Sequence, residues 1–263
     1  MKIVVCIKQV PDTTDVKINP DTNTLIRDGV VSIINPFDAY AIEEGVCLKE
    51  RFGGEVIVVT MGPPQAKEAL REALALGADS VIHLCDRAFA GSDTWATSLV
   101  LAQAIKKIGS VDLVICGKQA SDGDTAQVGP GIATHIDLPQ ATYVRRIDSV
   151  HLDTDPKIMI VERLLEEGYE LLELKLPALI TVVKEINEPR MPSLRGKMMA
   201  RKVEIPSWTN QDLNINQDEI GLKGSPTQVV RIFTPPQKEG GKIFDCEPKE
   251  AVERLVEEIK DLL

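Results

Sequence analysis

Short apolar segments alternate with longer segments of helical periodicity throughout the N-terminal half of the sequence. The apolar segments are rich in Val and Ile and are Lys2–Lys8, Glu55–Thr60, Ser80–Leu84 and Val111–Cys116. The helical segments are Asn35–Arg51, Pro63–Leu76, Asp93–Ile108 and Thr125–Ile136, the last of which we expect Gly129-Pro130 to break. Strands separated by helices form βαβ units. The sequence therefore predicts an α/β fold, a doubly wound and mostly parallel sheet with helices on both faces.

The pattern changes after Pro139. Short strand-like segments separated by turn residues follow, and they are Thr142–Ser149, Lys157–Leu164, Tyr169–Lys175 and Ala178–Lys184. We expect these segments to add antiparallel strands to the edge of the sheet. Residues Pro206–Pro236 are polar and show little helix or strand signal, which predicts an extended arm. Pro248–Leu263 has apolar residues at i, i+3, i+4 and i+7, which predicts a closing helix.

Composition and charge exclude several classes of function. The 263 residues suffice for one large domain with extensions, and 30 basic against 40 acidic residues give a net charge of −10. With aromatics at only 4%, this balance argues against a nucleic-acid-binding protein. No segment approaches the ~20 apolar residues of a membrane span, and no signal-peptide pattern precedes the first strand. The five cysteines contain no C-x-x-C pair, which indicates a reducing, cytoplasmic location, and the three histidines have no metal-ligand spacing.

Loops that follow the predicted strands are the candidate ligand-binding segments, because parallel sheets bind ligands at the carboxyl ends of their strands. The first loop is Cys6–Gln9, and the second is Ile34–Asp38, where Asn35 suits a helix N-cap and Pro36 suits the first helical position. The third, Gly117–Pro130, concentrates Gly, Ser, Asp, Thr and Gln before a helix and suits a phosphate-containing ligand.

Simpler explanations of the same residues remain open at this point. The Asn-Pro pair can be only a helix cap, the Gly117–Pro130 loop can be an ordinary surface turn, and Cys6 and Met61 can be packing residues. Neither a G-x-G-x-x-G fingerprint after the first strand nor a G-x-x-x-x-G-K-[ST] phosphate loop is present. The composition of the loop is therefore compatible with both a ligand-binding loop and a surface turn.

The recognition segment, as we call Asn187–Lys202, contains five basic residues and one acidic residue together with Met and Leu side chains. Its basic residues are Arg190, Arg195, Lys197, Arg201 and Lys202. It shows no clean helical or strand period. It is either a solvated loop whose Met residues fold inward, or a protruding docking surface with an apolar anchor ringed by positive charge. We favour the docking interpretation.

Taken together, these segments resemble the β subunit of electron transfer flavoprotein. The matching motifs run in order along the chain: V-C-I-K-Q-V-P-D, N-P-F-D, T-M-G-P-P, A-L-A-L-G-A-D, G-K-Q-A-S-D-G-D-T-A-Q-V-G-P, N-E-P-R-M-P-S-L and L-K-G-S-P-T-Q-V. Val161–Val182 resembles the family signature. The resemblance implies an adenine-nucleotide-hydrolase-like α/β fold and a heterodimer with an α subunit that carries one FAD.

The resemblance also implies an adenine nucleotide in this chain. Simpler members hold a structural AMP, whereas electron-bifurcating members hold a second FAD that receives hydride from NADH. The D-G-D-T-A-Q-V-G-P loop resembles the bifurcating, FAD-binding version, with Gly123 and Gly129 letting the backbone approach a diphosphate. The implied nucleotide-binding residues are Cys6, Asn35, Pro36, Phe37, Asp38, Met61, Gly117, Lys118, Gln119, Ala120, Asp122, Gly123, Asp124, Thr125, Ala126, Gln127 and Val128.

The implied partners follow from the same resemblance. The recognition segment would dock an acyl-CoA dehydrogenase or reductase through Leu194, Arg195, Lys197 and Met198, and ferredoxin or flavodoxin would take the second electron. The implied division is residues 1–186 as the nucleotide-binding domain, 187–205 as the partner-recognition loop, and 206–263 as an arm and helix on the α subunit. Two alternatives remain: an electron carrier subunit with structural AMP, and a nucleotide-binding regulatory module. No side chain is expected to act as a catalytic acid or base.

Overall fold

The structure, a computed structural model, describes residues 1–12, 18–19, 24–25, 32–230 and 240–260. The chain forms two units, Met1–Val230 and Arg231–Leu263. The strands are β1 (Lys2–Ile7), β2 (Gln9–Pro11), β3 (Ile18–Asn19), β4 (Thr24–Leu25), β5 (Ser32–Ile34), β6 (Glu55–Met61), β7 (Ser80–Leu84), β8 (Leu113–Gly117), β9 (Gln140–His151), β10 (Ile158–Leu165), β11 (Gly168–Lys175), β12 (Ala178–Val182) and β13 (Ser207–Trp208). The helices are α1 (Pro36–Phe52), α2 (Lys67–Leu76), α3 (Thr94–Ile108), α4 (Val128–His135), α5 (Leu194–Ala200), α6 (Asn210–Leu213) and α7 (Pro248–Ile259).

One sheet of nine strands organises the first unit, in the order β11-β10-β9-β12-β8-β1-β6-β7-β13. From β13 to β9 all neighbouring strands are parallel, and β10 is antiparallel to both of its neighbours, β9 and β11. From β1 the chain builds outward through β6 and β7, and then crosses to β8 on the other side of β1. This reversal is the topological switch point, where doubly wound sheets hold their ligands.

Successive residues of β1 explain why the sheet is covered on both faces. Ile3 and Val5 belong to the core cluster that includes residues of α1 and α2, while Val4 and Cys6 belong to the cluster that includes residues of α3 and α4. Side chains of a strand alternate between the two faces. A strand buried on both faces must be apolar at every position, which is the pattern that the sequence shows. The predicted doubly wound α/β fold is therefore confirmed.

Two predicted elements differ from the structure in position. Ala178–Lys184 was expected at an antiparallel edge, but β12 lies inside the sheet, parallel to both β8 and β9. The expectation of an antiparallel edge is confirmed only for β9 to β11. The helix expected over Thr125–Ile136 begins at Val128 and is not broken, because Pro130 lies in its first turn, where a backbone N–H has no partner within the helix.

The expected extended arm also differs from the structure over residues 206–230, which belong to the first unit. β13 pairs with β7 at the edge of the sheet, and Ile220 is buried in the core cluster of the α3 and α4 face. Polar anchors hold the rest: Ser225 Oγ accepts a hydrogen bond from Asp93 N–H (2.8 Å), and Asp93 accepts one from Thr227 N–H (2.9 Å). Residues 231–239, which the predicted arm also included, lie outside the described residues.

The second unit contains α7, which confirms the predicted closing helix as far as Ile259. Its last predicted apolar position, Leu262, lies outside the described residues. Among the helices of the described ranges, none combines the length and the apolar character that crossing a membrane requires.

Candidate functional site

The crevice, as we call the space at the carboxyl ends of β1 and β8, is built around a buried carboxylate. Asp38 Oδ2 accepts a hydrogen bond from the backbone N–H of Lys8, just after β1 (2.7 Å), and the backbone N–H of Gly117, at the end of β8, also donates to Asp38. A β-carbon on Gly117 would lie 2.2 Å from Asp38 Oδ1 and 2.7 Å from the carbonyl carbon of Phe37, so only glycine fits there. Asp38 therefore joins the two strands that flank the switch point.

Burial raises the pKa of Asp38 from 3.8 to about 7. The hydrogen bonds from the Asn35 side chain and from the backbone of Lys8 and Gly117 favour the charged form, but they offset only part of the desolvation. Asp38 was predicted to contact the nucleotide. The structure instead surrounds this side chain with protein groups and assigns it a bracing contact beneath the crevice.

Asn35 occupies the predicted N-cap position of α1, but its side chain makes no capping hydrogen bond. Its Nδ2 donates to the carbonyl oxygen of Gln119 (2.8 Å), and its Oδ1 accepts from the backbone N–H of Ser121 (3.0 Å). Both partners lie in the crevice loop, as we call Gly117–Gln127. The fully buried amide thus fixes this loop against the start of α1, a role that the capping interpretation did not include.

Other polar residues tie the crevice loop to its surroundings. Lys8 Nζ donates to Asp122 Oδ1 (2.6 Å) and Thr94 Oγ1 donates to Gln127 Oε1 (2.8 Å), while Gln119 donates to Asp124 within the loop itself. The ammonium group of Lys118 lies over the rings of Phe37 and Tyr143, 5.4 and 5.3 Å from their centroids. The loop is therefore held from four directions. Of these partners, Lys8 was predicted only as part of the first candidate loop, and Thr94 and Tyr143 were missed because no local pattern links them to the crevice loop.

The outer part of the crevice loop has an unusual backbone. Asp124 and Ala126 have φ values of 51° and 54°, in the left-handed region that L-residues seldom adopt. Alternation of left-handed and ordinary residues turns successive N–H groups toward one side, a geometry that suits an anion. The first turn of α4 follows directly, and its N–H groups have no partner within the helix. A β-carbon on Gly123 would meet nothing within 4 Å.

The other glycine of the predicted pair has a different role. A β-carbon on Gly129 would lie 2.5 Å from Thr181 Cγ2, and one on Gly131 would lie 2.4 Å from Ser98 Oγ. Both glycines therefore let α4 pack closely against β12 and α3. The expectation that Gly129 makes room for a diphosphate was wrong, because the position of its missing side chain faces the protein core. At Gly123 the corresponding position faces open space.

Cys6 and Met61 lie apart from the crevice loop's polar contacts. Cys6 is buried within β1 among the core residues of the α3 and α4 face, and Met61, at the end of β6, is half-buried against the same cluster. The structure thus places both in packing positions. Pro36 and Phe37 form the first turn of α1, beside Lys118 of the crevice loop.

The recognition segment forms the second candidate surface, and it contains a helix that the sequence pattern did not predict. Ser193 caps this seven-residue helix, α5, by accepting a hydrogen bond from the backbone N–H of Gly196 (2.9 Å). Met191 and Leu194 are 88% and 78% exposed, and Met198 and Met199 are also exposed. The alternative that its Met residues fold inward is therefore wrong. Arg190, expected in the basic rim, instead points to α1 and contacts Glu43 and Glu50.

Fold and site together define a doubly wound α/β protein with a glycine-containing loop at its topological switch point. The family described as "Electron transfer flavoprotein domain" matches residues 22–213. The "Electron transfer flavoprotein subunit beta" of Thermoanaerobacterium thermosaccharolyticum is 54% identical over 260 residues, covering 98% of each chain. The chain belongs to the electron transfer flavoprotein family and is a β subunit of this family, whose partner is an α subunit.

Two further relatives show the range of names within the family. The "Caffeyl-CoA reductase-Etf complex subunit CarD" of Acetobacterium woodii is 51% identical over 263 residues, covering 99% of this chain and 98% of that protein. "Protein FixA" of Azotobacter vinelandii is 49% identical over 261 residues, covering 96% and 92%. The resemblance drawn from the motifs is thus confirmed at the level of the family, and the chain is part of an electron-transport complex.

Proposed function

We propose that this chain binds FAD in the crevice and that its αβ complex oxidises NADH and delivers electrons to two acceptors. One acceptor is ferredoxin or flavodoxin, and the other, reached through the α-subunit FAD, is an acyl-CoA dehydrogenase or reductase. The observation that carries the proposal is the crevice loop at the switch point, with its two left-handed residues and its open side at Gly123.

The residues present fit a nucleotide with a diphosphate. The backbone N–H groups near Ala126 and the first turn of α4 would bind phosphate oxygens, aided by the positive end of that helix. Asp122, whose charge would repel phosphate, is paired with Lys8, which reduces this repulsion. Asn35 and Asp38 would keep the loop in place without contacting the ligand. Bound FAD would accept hydride and transfer single electrons. The chain itself would bind the FAD, orient it and shield it from water.

Two considerations favour FAD over AMP, and neither depends on the fold alone. The D-G-D-T-A-Q-V-G-P loop resembles that of bifurcating members. The relative named as a subunit of a caffeyl-CoA reductase–Etf complex is 51% identical. An electron carrier with structural AMP is the second candidate, because the same loop backbone would bind a single phosphate. A purely regulatory nucleotide-binding module would leave the exposed apolar residues of α5 without a role.

The recognition segment would dock the acyl-CoA-linked flavoenzyme. Leu194 and Met198 would enter a pocket of the partner, and Arg195 and Lys197 would attract acidic groups around it. Its Met residues would adapt to the partner's surface. The five cysteines are all free thiols, which agrees with the proposed cytoplasmic location.

Acid release of nucleotides from the native αβ complex tests the cofactor proposal. We expect two FAD per heterodimer, whereas one FAD and one AMP would contradict the proposal. In the variant Thr125→Leu, bulk at the exposed side of the crevice loop should remove the FAD of this chain and leave the α-subunit FAD. Thr154→Leu, in the exposed turn between β9 and β10, is the matched control and should retain both.

A further inference from the structure

The recognition segment begins with seven residues, 187–193, that form no regular secondary structure. A stretch of this kind loses about 1–2 kcal/mol of backbone entropy per residue when it becomes ordered. The helix that follows, α5, has seven residues and is too short to be stable by itself. Contacts with the rest of the domain must therefore fix the exposed side chains of this segment in position.

Arg190 makes most of the contacts at the start of the segment. Its backbone N–H and Nε donate to Glu43 Oε2 at 3.0 and 2.9 Å, and its Nη1 donates to Glu50 Oε1 at 2.7 Å. Burial by itself would raise the pKa of Glu43, but the hydrogen bonds from Arg190 outweigh it and hold the pKa below its usual value. A planar guanidinium group that reaches two carboxylates fixes orientation as well as distance.

Asn187 adds a second contact with the same helix. Its Nδ2 donates to the carbonyl oxygen of Tyr40 (3.1 Å) and to Glu44 Oε2 (2.9 Å). At the far end of the segment, Arg71 of α2 donates to the carbonyl oxygen of Ala200 (3.1 Å). The segment is thus held by polar contacts on both sides of α5, of which Arg190 is the nearer to Leu194. α5 itself packs on α2 at Gly196, where a β-carbon would lie 2.7 Å from the carbonyl oxygen of Ala75.

The element that receives Arg190 also borders the crevice. α1 carries Asn35 and Asp38 at its start, and one to four turns later it carries the carboxylates that bind Arg190. A single helix therefore relates the crevice loop to the recognition segment. We propose that Arg190 is a positioning residue for docking, which holds the segment on α1 so that Leu194 is presented in a fixed place. The proposal rests on the docking role proposed above for this segment.

A double-mutant cycle between Arg190→Met and Leu194→Ala in the αβ complex tests this proposal. We expect each single variant to raise the KM for the flavoenzyme partner by about tenfold, with kcat, FAD content and NADH oxidation by an artificial acceptor unchanged. The double variant should be little worse than either single variant, because both changes remove the same docking contact. Arg190→Lys keeps the positive charge but loses the planar guanidinium group that reaches both carboxylates. Its KM for the partner should lie between those of the native complex and Arg190→Met.

Arg146→Met is the matched control, because Arg146 is an exposed arginine that also pairs with two carboxylates, Asp148 and Glu162. It should leave the partner KM unchanged. Additive effects of Arg190→Met and Leu194→Ala would overturn the positioning role while leaving the docking role intact. A Leu194→Ala variant with normal KM would overturn the docking role itself.

A second route covers the case in which Arg190→Met does not fold. Glu50→Gln removes the charge of the exposed carboxylate that binds Arg190 and leaves the contact between Arg190 and Glu43 in place. This variant should raise the partner KM in the same direction, and less than additively with Leu194→Ala. An unchanged KM in Glu50→Gln and Arg190→Lys, or a loss of FAD in either, would contradict the proposal.

Discussion

The crevice and the recognition segment are both attached to α1, but by opposite means. At the crevice, buried Asn35 and Asp38 bind backbone groups of the neighbouring strands and loop. At the recognition segment, Arg190 is bound by Glu43 and by the mostly exposed Glu50. Buried hydrogen bonds to backbone groups define one geometry, whereas partly exposed ion pairs contribute less and respond to salt.

This difference agrees with what each region is proposed to do. A cofactor site has to be formed before the ligand arrives, and its geometry must be kept. A docking surface has to expose apolar side chains to water and adapt to a partner, so it gains from attachment that leaves its outer face free. The contrast predicts different responses of the two regions to glycine substitution, to a rise in pH towards neutral and to acid.

The largest effect should come from filling the close contact beneath the crevice. Gly117→Ala would place a β-carbon 2.2 Å from Asp38 Oδ1, so α1 and β8 must separate. Overpacking of this kind costs about 1–3 kcal/mol, and we expect a lower unfolding temperature of the αβ complex together with loss of FAD from this chain. Calorimetry and acid-released nucleotide counts measure the two effects.

Gly123→Ala is the matched control for that variant. The new β-carbon would meet no protein atom within 4 Å, so the unfolding temperature should not change. FAD affinity should nevertheless fall, because the methyl group occupies the open side of the crevice loop. Equal destabilisation by both substitutions would show that the crevice loop is not divided into a packed inner part and an open outer part.

Raising the pH from the usual pKa of Asp38, 3.8, to about 7 should reduce the stability that this buried carboxyl group contributes to the crevice. The pKa of Asp38 is raised from 3.8 to about 7, so its contribution to stability is complete below its usual pKa and is lost as the pH rises through about 7. Compared with Asp38→Asn, which cannot titrate, the native complex should lose about 2 kcal/mol between about pH 5.5 and pH 8. Urea unfolding at several pH values measures this slope, and parallel curves for the two proteins would contradict it.

Much of the crevice could be predicted from the sequence, because local patterns specify it. An apolar run ending at Cys116, followed by a loop rich in Gly and Asp and then by a helix, already describes a strand, a ligand loop and a helix start. The same kind of reasoning predicted α1 and the N-cap position of Asn35, although the Asn35 side chain makes no capping hydrogen bond. The partners of Asn35 could not be predicted, because Gln119 is 84 residues away and no periodicity links them.

The regions that sequence reasoning misplaced depend on contacts between distant residues. The short apolar run of β12 is compatible with an edge or a central strand, and only pairing with β8 and β9 decides between them. Residues 206–230 lack periodicity because backbone pairing and single polar anchors such as Ser225 hold them. Arg190 was assigned to a basic rim because its carboxylate partner Glu43 lies 147 residues away.

Acid should weaken the attachment of the recognition segment, whereas protonation of Asp38 stabilises the crevice, and this is the smallest effect that we expect. Hydrogen bonds from Arg190 hold the pKa of Glu50 below its usual value, and they outweigh burial in doing the same for Glu43. Lowered pKa values contribute stability that is present above the usual pKa of about 4.5 and is lost as the pH falls further. Hydrogen exchange of the α5 amides, corrected for intrinsic rates, should show about fivefold less protection in acid than near neutral pH.

The same samples provide the control, because α2 lies beside the segment and depends on neither carboxylate, so its amides should keep their protection. In Arg190→Met the amides of α5 should be poorly protected at both pH values, because the ion pairs with Glu43 and Glu50 are already absent. If α5 and α2 lose protection together, or if Arg190→Met responds to acid as the native complex does, the carboxylates of α1 do not hold the segment. The contrast between a crevice held by buried hydrogen bonds and a recognition segment held by ion pairs would then be wrong.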